Sequence, residues 1–334
     1  MHAVEIERHG GPEALTWKEM ARPDPGKGEV LVRVGAAGVN FIDVYHRTGR
    51  YPTELPYRMG LEGCGVVEEL GRDVSGLEPG DRVAWSSVPG SYAEFVRAPA
   101  DKLVKVPKGI SDQEAAAVML QGMTAQYLSA STFPLKKGDV ALVHAAAGGV
   151  GLLLVQMAKS RGAKVIGTAS TREKAKLATD AGADQVILYT ELDFELEVKR
   201  LTGGGGVDVV YDGVGKATFL KGLDSLRPLG MMVLFGGASG AVEPFDPILL
   251  SQKGSLFLTR PTLFHYTGDR ESLVKRATEV LEMVASKRLR VRIERTYPLE
   301  DASLAHRDLE SRKTTGKLLL IPPGENSQAG ASRK

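Results

Sequence analysis

Val140-Ala-Leu-Val-His-Ala-Ala-Ala-Gly-Gly-Val-Gly151 runs without a break into Leu152-Leu-Leu-Val-Gln-Met-Ala-Lys159. The stretch reads as a buried strand, a glycine turn and an amphipathic helix. The dinucleotide-binding spacing G-x-G-x-x-G falls on Ala146, Gly148 and Gly151, with Ala in place of the first Gly. A small residue at 146 permits the tight turn, Gly148 lets the backbone approach a pyrophosphate, and Gly151 lets the helix pack close to the strand. Gly149 and Val150 open the helix, where free amide groups favour an anion. A second strand, Lys164-Val-Ile-Gly-Thr168, completes the context. The alternative is a glycine-rich turn in an ordinary α/β domain.

Outward from this stretch, strands and helices alternate. Strands are expected at 140–145, 164–168, 185–188, 207–211, 230–235 and 255–259. Helices are expected near 149–161, 171–181, 193–201, 215–226 and 247–253. Six strands with crossover helices predict an α/β fold built on a doubly wound parallel sheet. Gly203-Gly-Gly-Gly206 precedes a strand, so it reads as a flexible loop and not a phosphate cradle. Ser111 and Glu114 have capping-box spacing for a helix that leads into this domain.

Residues 1 to about 119 have a different rhythm. Short alternating runs such as Val30-Leu-Val-Arg-Val34 and Gly65-Val-Val-Glu-Glu-Leu70 are divided by turn signals, as in a barrel or sandwich. Asn40-Phe-Ile-Asp-Val-Tyr-His46 breaks the alternation and suits a helical turn or two. After about 262 the pattern returns to mixed α/β, with a helix over Glu271–Lys287. Residues 323–334 are Pro, Gly, Ser and charge, and read as a frayed tail. The expected division is a β-rich domain over 1–119 and 262–334, with the nucleotide domain over 120–261.

Composition narrows the function classes. Forty-three Lys and Arg against 41 Asp and Glu leave a net charge of +2, which argues against nucleic acid as a partner. No segment reaches the ~20 apolar residues of a membrane span. The single cysteine, Cys64, excludes an intramolecular disulfide and a cysteine-rich metal site. A cytoplasmic protein is expected. Cys64 lies between Gly63 and Gly65 and reads as a small packing residue, and His144, inside the nucleotide strand, reads as structural.

Several stretches carry a family resemblance: Val39-Asn-Phe-Ile-Asp-Val-Tyr45, Gly60-Leu-Glu-Gly-Cys-Gly65, Ala145–Gly151, Tyr211-Asp-Gly-Val-Gly215 and Gln252-Lys-Gly-Ser-Leu-Phe-Leu-Thr-Arg-Pro261. With the split β-rich domain around a Rossmann insert, the chain resembles the medium-chain dehydrogenase/reductase superfamily. Within it, the chain resembles the zinc-independent quinone oxidoreductases, which include the zeta-crystallins. The resemblance implies a GroES-like catalytic domain. Zinc-dependent relatives place a Cys where Asn40 stands and a His where Leu61 stands. Leu cannot ligate a metal, the six His show no paired spacing, and no metal is expected.

The end of the second strand bears on the cofactor. NAD enzymes usually carry an acid there for the ribose hydroxyls, but this chain reads Thr168-Ala-Ser-Thr-Arg-Glu-Lys174. Ser170, Arg172 and Lys174 suit a 2′-phosphate instead; the lesser alternative is that Arg172 and Lys174 are a solvated first helical turn. By resemblance, Lys174, Tyr189 and Arg312 complete that site, and NADPH is the expected cofactor.

The resemblance also nominates Asn40, Asp43, Tyr45, Tyr51 and Arg260 around a substrate pocket between the domains. Thr124, Phe235 and Gly236 are nominated around the nicotinamide. Asp43 and Arg260 could alternatively form an ion pair. Each tyrosine could alternatively be a packed aromatic. The expected activity is hydride or single-electron transfer to a quinone. Reduction of an enone or enal double bond is the enzymatic alternative. A non-catalytic crystallin-like or RNA-binding role is the alternative of another class. A homodimer is expected, with strands 255–259 and 231–235 at the candidate edge.

Overall fold

The computed structural model describes residues 1–323 of the chain, so the tail expected over 323–334 lies, beyond 323, outside the described residues. The chain forms two compact units. One comprises Met1–Leu120 and the chain from Gly268 onward, the other Gln121–Thr267. The second crossing falls at Thr267–Gly268 rather than at 262. Tyr266 explains this: its ring stacks on Tyr127 with centroids 4.2 Å apart, and its hydroxyl accepts from Thr132.

The Gln121–Thr267 unit is built on a six-stranded, wholly parallel sheet. Its spatial order is Gln185–Leu188, Lys164–Ala169, Val140–Val143, Val207–Asp212, Leu226–Leu234, Phe257–Thr259. This is the doubly wound order, with the reversal beside Val140–Val143, and the carboxyl ends of the central strands form the ligand crevice of such sheets. Helices Gly149–Ser160, Arg172–Asp180, Phe194–Leu201, Phe219–Asp224 and Ile248–Gln252 follow the strands in turn. Leu142, Ile166, Val210, Phe219, Leu223 and Met232 fill its core.

Local conformation trimmed two expected elements. The helix expected at 215–226 begins only at Phe219, because Gly215 is left-handed at φ +88° and the preceding loop is folded onto Asp212. The last strand starts at Phe257 rather than 255, because Gly254 and Ser255 take φ of +113° and +55°.

The other unit holds a seven-stranded sheet and a three-stranded one. In the larger sheet, Glu29–Val39 lies between Glu62–Leu70 and Lys317–Ile321, both antiparallel to it. The registers pair Gly38 with Glu62, and Leu318 with Val39. Three neighbouring strands therefore deliver Asn40, Glu62 and Lys317 to one end of the sheet. Val32, Met59, Trp85, Tyr92 and Leu320 are among the residues of its core. Helix Arg270–Ala285 realises the apolar spacing read over 271–287, capped by Asp269, which accepts from the Ser272 amide. The Ser111–Glu114 capping box is formed in both directions.

Candidate active site

The glycine turn sits at the carboxyl end of the central strand Val140–Val143. Gly148 is the N-cap of helix Gly149–Ser160 and itself makes no side-chain capping bond. The first amides of a helix that opens at such a turn favour an anion. The third fingerprint position admits no side chain, since a β-carbon on Gly151 would stand 2.3 Å from the Ala145 carbonyl oxygen. At Gly149 a β-carbon would stand 2.1 Å from Gln121 Oε1, so the Gln121 side chain lies against the turn. Ala145 takes φ +51°, an uncommon conformation for a residue with a side chain.

A second loop pair faces the carboxyl ends of the sheet. The buried Asp212 carboxylate accepts from the amides of Val214 and Gly215 and from the Thr218 hydroxyl, at 2.7, 3.0 and 2.7 Å. Its carbonyl accepts from the amide of Phe235 at 2.9 Å. Gly213 and Gly236 touch backbone to backbone: a β-carbon on Gly236 would lie 2.5 Å from the Gly213 oxygen. Phe235 and Gly236, nominated for the nicotinamide, are therefore held by Asp212. Thr124 lies buried in helix Asp112–Tyr127. His144 is buried, bonded through Nδ1 to the Thr168 hydroxyl at 3.1 Å, and burial pushes its pKa down.

At the second strand, Thr171 caps helix Arg172–Asp180 by accepting from the Lys174 amide. No acid stands at the end of Lys164–Ala169. Ser170 is half-buried with its carbonyl bonded to the Thr190 hydroxyl at 3.1 Å, and Tyr189 beside it is 51% exposed. Arg172 is exposed, 3.9 Å from Glu191. Arg312 stands in the other unit at φ +58°, on the connection between helix Ala302–Glu310 and strand Lys317–Ile321.

The nominated residues of the catalytic unit divide into two groups. Asn40 and Asp43 face inward. The Asn40 amide group donates to Glu62 Oε2 at 2.7 Å, its Oδ1 accepts from Lys317 at 2.7 Å, and Lys317 meets Glu62 Oε2 at 2.5 Å. Glu62 and Lys317 are essentially without solvent exposure. Breaking such a buried pair costs about 3–5 kcal/mol, because one charge is left uncompensated. Asp43 Oδ2 accepts from the Asn40 amide and the Tyr92 hydroxyl at 2.8 and 2.9 Å, while Oδ1 has no partner among the described residues. Burial pushes the Asp43 pKa up to about 7 against the pull of these donors. Asp43 thus finds its partners inside its own unit. It is wholly buried.

Behind Asp43 the network continues. Tyr92 lies 3.3 Å from His306 Nε2, His306 Nδ1 lies 3.0 Å from Arg47, and Arg47 forks onto Glu310 at 2.9 and 3.0 Å. Burial, then the Arg47 charge, push the His306 pKa down to about 3, so the ring is neutral. Its Nδ1 accepts from the guanidinium, which leaves Nε2–H to donate to Tyr92.

Tyr45 and Tyr51 form an aromatic group. Their rings meet edge-on at 5.1 Å, Tyr45 also meets Phe41, and the Arg50 guanidinium lies 4.5 Å over Tyr45. His46 adjoins it, 6.0 Å from the Tyr51 ring, and Tyr57 in turn meets His46 at 5.5 Å. Tyr45 is 8% exposed and Tyr51 half-buried. Arg260 is exposed at the end of Phe257–Thr259 in the other unit. Cys64 is buried with its sulfur 3.6 Å from Asp112, and burial raises its pKa well above the usual thiol value. The residues that sequence reasoning missed are Glu62, Tyr92, Asp212, His306 and Lys317. Lys317 left one signal, a lone charge opening the apolar run Leu318–Ile321. His306 left another, a place on the apolar face of its helix with Ala302 and Ala305.

Residues 26–108 match the family model described as "Alcohol dehydrogenase GroES-like domain", and 149–285 match "Zinc-binding dehydrogenase". The pair defines a medium-chain dehydrogenase/reductase. Quinone oxidoreductase 1 of Escherichia coli K12 is 45% identical, covering 96% of this chain and 99% of that protein. A 2-haloacrylate reductase of Burkholderia is 43% identical, covering 96% and 98%. The structure of Escherichia coli quinone oxidoreductase complexed with NADPH superposes with a TM-score of 0.95 at 44% identity, covering 96% of this chain and all of that one. This chain belongs to the quinone oxidoreductase family of that superfamily.

One family model names zinc, and the donor set here does not suit it. Where ligands would be needed stand an amide already bonded on both atoms, the buried Leu61, and a carboxylate paired with an ammonium. A second cation beside Lys317 would be repelled. Among the described residues no group of three or more His, Cys, Asp or Glu could hold a metal ion, and no helix is long and apolar enough to cross a membrane.

Proposed function

We propose that this protein is an NADPH-dependent quinone reductase acting in the cytoplasm. The observation that carries the reading is the glycine turn, with no acid at the end of the second strand, in a chain nearly half identical to named quinone oxidoreductases. Ala146, Gly148, Gly149, Val150 and Gly151 would hold the pyrophosphate. Ser170, Arg172, Lys174, Tyr189 and Arg312 would hold the 2′-phosphate, and Thr124, Phe235 and Gly236 the nicotinamide. NADPH supplies the hydride. A quinone that takes one hydride and one proton becomes the hydroquinone, so the protein's part is placement, exclusion of water and support of the oxygen on which charge develops. Tyr45 and Tyr51 are the donors for that oxygen, and Arg260 adds positive charge. Asn40 and Asp43 act through position, by starting and capping helix Phe41–Arg47.

The 2-haloacrylate reductase relative supports a second reading. A quinone is a doubly conjugated enone, so one pocket can serve reduction of an activated carbon–carbon double bond. The test is NADPH oxidation with a simple quinone and an enone offered in parallel, with a chelator present and again with NADH. Fast, chelator-insensitive quinone turnover that prefers NADPH supports the first reading. Turnover of the enone alone replaces it with the second.

A homodimer is part of the same proposal. The strand Phe257–Thr259 is one of the two edges of the parallel sheet, and Phe257 on it and Leu229 on the adjoining strand are 56% and 60% exposed. Two copies of one edge related by a twofold axis pair antiparallel and cover both residues.

A further inference from the structure

We propose that Glu62 is a positioning residue of this reaction, registering Asn40 and the helix Asp112–Tyr127 on a single carboxylate. The inference rests on the quinone reductase reading. Oε2 receives the Asn40 amide group at 2.7 Å and the Lys317 ammonium at 2.5 Å. Oε1 receives the backbone amide of Leu120 at 2.6 Å. That amide lies inside the helix, where an N–H already faces the carbonyl four residues back. A side chain that reaches into this ladder fixes a helix at one point and bends it there. Gly122, two residues on, lowers helical stiffness at the same place.

The fold makes room for the carboxylate. A β-carbon on Gly38 would lie 2.2 Å from Glu62 Oε2 and 2.8 Å from Lys317 Cε, so the strand carries no side chain opposite Glu62. Each arm leads along the chain to a residue that the proposed function uses. One reaches Asn40, which opens the helix bearing Tyr45. The other fixes Leu120, next to Gln121, whose side chain lies against Gly149, and one turn before Thr124. Neither arm leads to Ser170, Lys174 or Tyr189. A change at 62 therefore disturbs hydride placement and spares these three residues of the 2′-phosphate end; Arg312, on the connection that leads into Lys317, is the one member near the network.

The test compares the full-length protein with Glu62→Gln and with Glu62→Gln/Lys317→Met, which removes both charges of the buried pair together. Misplacement on the ångström scale costs about 100-fold in rate. Both variants are expected to lose about 10- to 100-fold in kcat with a quinone, with KM for NADPH within about twofold of wild type. The isotope effect with NADPH deuterated at the transferred position should rise as hydride transfer becomes limiting. The double variant should recover the Tm that the single variant loses, and not its kcat; if the single variant does not fold, the double carries the test. Wild-type kcat in the double variant, or a KM for NADPH that rises in step with the loss of kcat, overturns the proposal. Absence of wild-type turnover with both quinone and enone overturns the reading beneath it, and the proposal with it.

Discussion

Ala146 and Gly167 share one space. A β-carbon placed on Gly167 would lie 2.8 Å from the β-carbon of Ala146, closer than such atoms approach in folded proteins. The departure from glycine at the first fingerprint position is thus matched by a glycine on the adjoining strand, and the Ala146 amide still donates to the Thr168 carbonyl at 3.0 Å. Gly167→Ala should cost about 1–3 kcal/mol, as overpacking in a tight core does. Ala146→Gly added to it should recover much of that loss. Urea midpoints measure both; equal losses in the single and double variants would falsify the shared-space account.

Lys174→Ala tests the cofactor preference. A charge-assisted hydrogen bond to a phosphate contributes about 1.5–3 kcal/mol, or roughly 10- to 100-fold in affinity. KM for NADPH should rise by that factor while KM for NADH changes little. Parallel increases for the two cofactors would remove Lys174 from the phosphate site.

The buried network gives stability two opposing pH dependences. Asp43 has a folded pKa pushed up to about 7, above the unfolded value near 4. The folded state therefore holds the extra proton between these values, and Asp43 costs stability as pH rises from about 4 to 7. His306, pushed down to about 3, holds fewer protons when folded. It costs stability as pH falls from about 6.5 towards 3. The two dependences oppose each other between about pH 4 and 6.5, so Asp43→Asn should leave stability rising with pH across that window, where wild type stays nearly flat. Thermal melts from pH 4 to 8 read this directly, and identical profiles for variant and wild type would refute it.

Phe257→Lys tests the sheet edge. The side chain is more than half exposed in the single chain, so the substitution should leave the fold of one protomer intact. A charge on an edge strand opposes pairing. Light scattering should report a dimer for the wild type and a monomer for the variant. A wild-type monomer would remove the edge from consideration.

Much of the fold was legible because its determinants are local. The strand–turn–helix run 140–159 carries its own periodicity, caps and glycines, and the six strands followed by helices repeat that rhythm. Gly151 was readable from spacing alone, and the structure supplies its reason, the Ala145 carbonyl 2.3 Å from where a side chain would begin. Boundaries were less legible at 215 and 255, where positive φ angles and the Asp212 loop override helix and strand propensity.

The sequence by itself determined the class of each unit, the nucleotide turn and the lack of a ligand set for zinc. The first two rest on residue types at short spacing, and the third on the family resemblance, with Asn40 and Leu61 at the ligand positions. Only the tertiary structure decided which polar side chains meet. Asn40, Glu62 and Lys317 come from three strands that are neighbours in the sheet but lie far apart along the chain. Asp43, Tyr92 and His306 likewise meet only when helix Phe41–Arg47 packs on that unit. Burial raises the cost of every unpaired charge. The folded core therefore decides that Asn40 and Asp43 turn inward, and no local pattern could announce it.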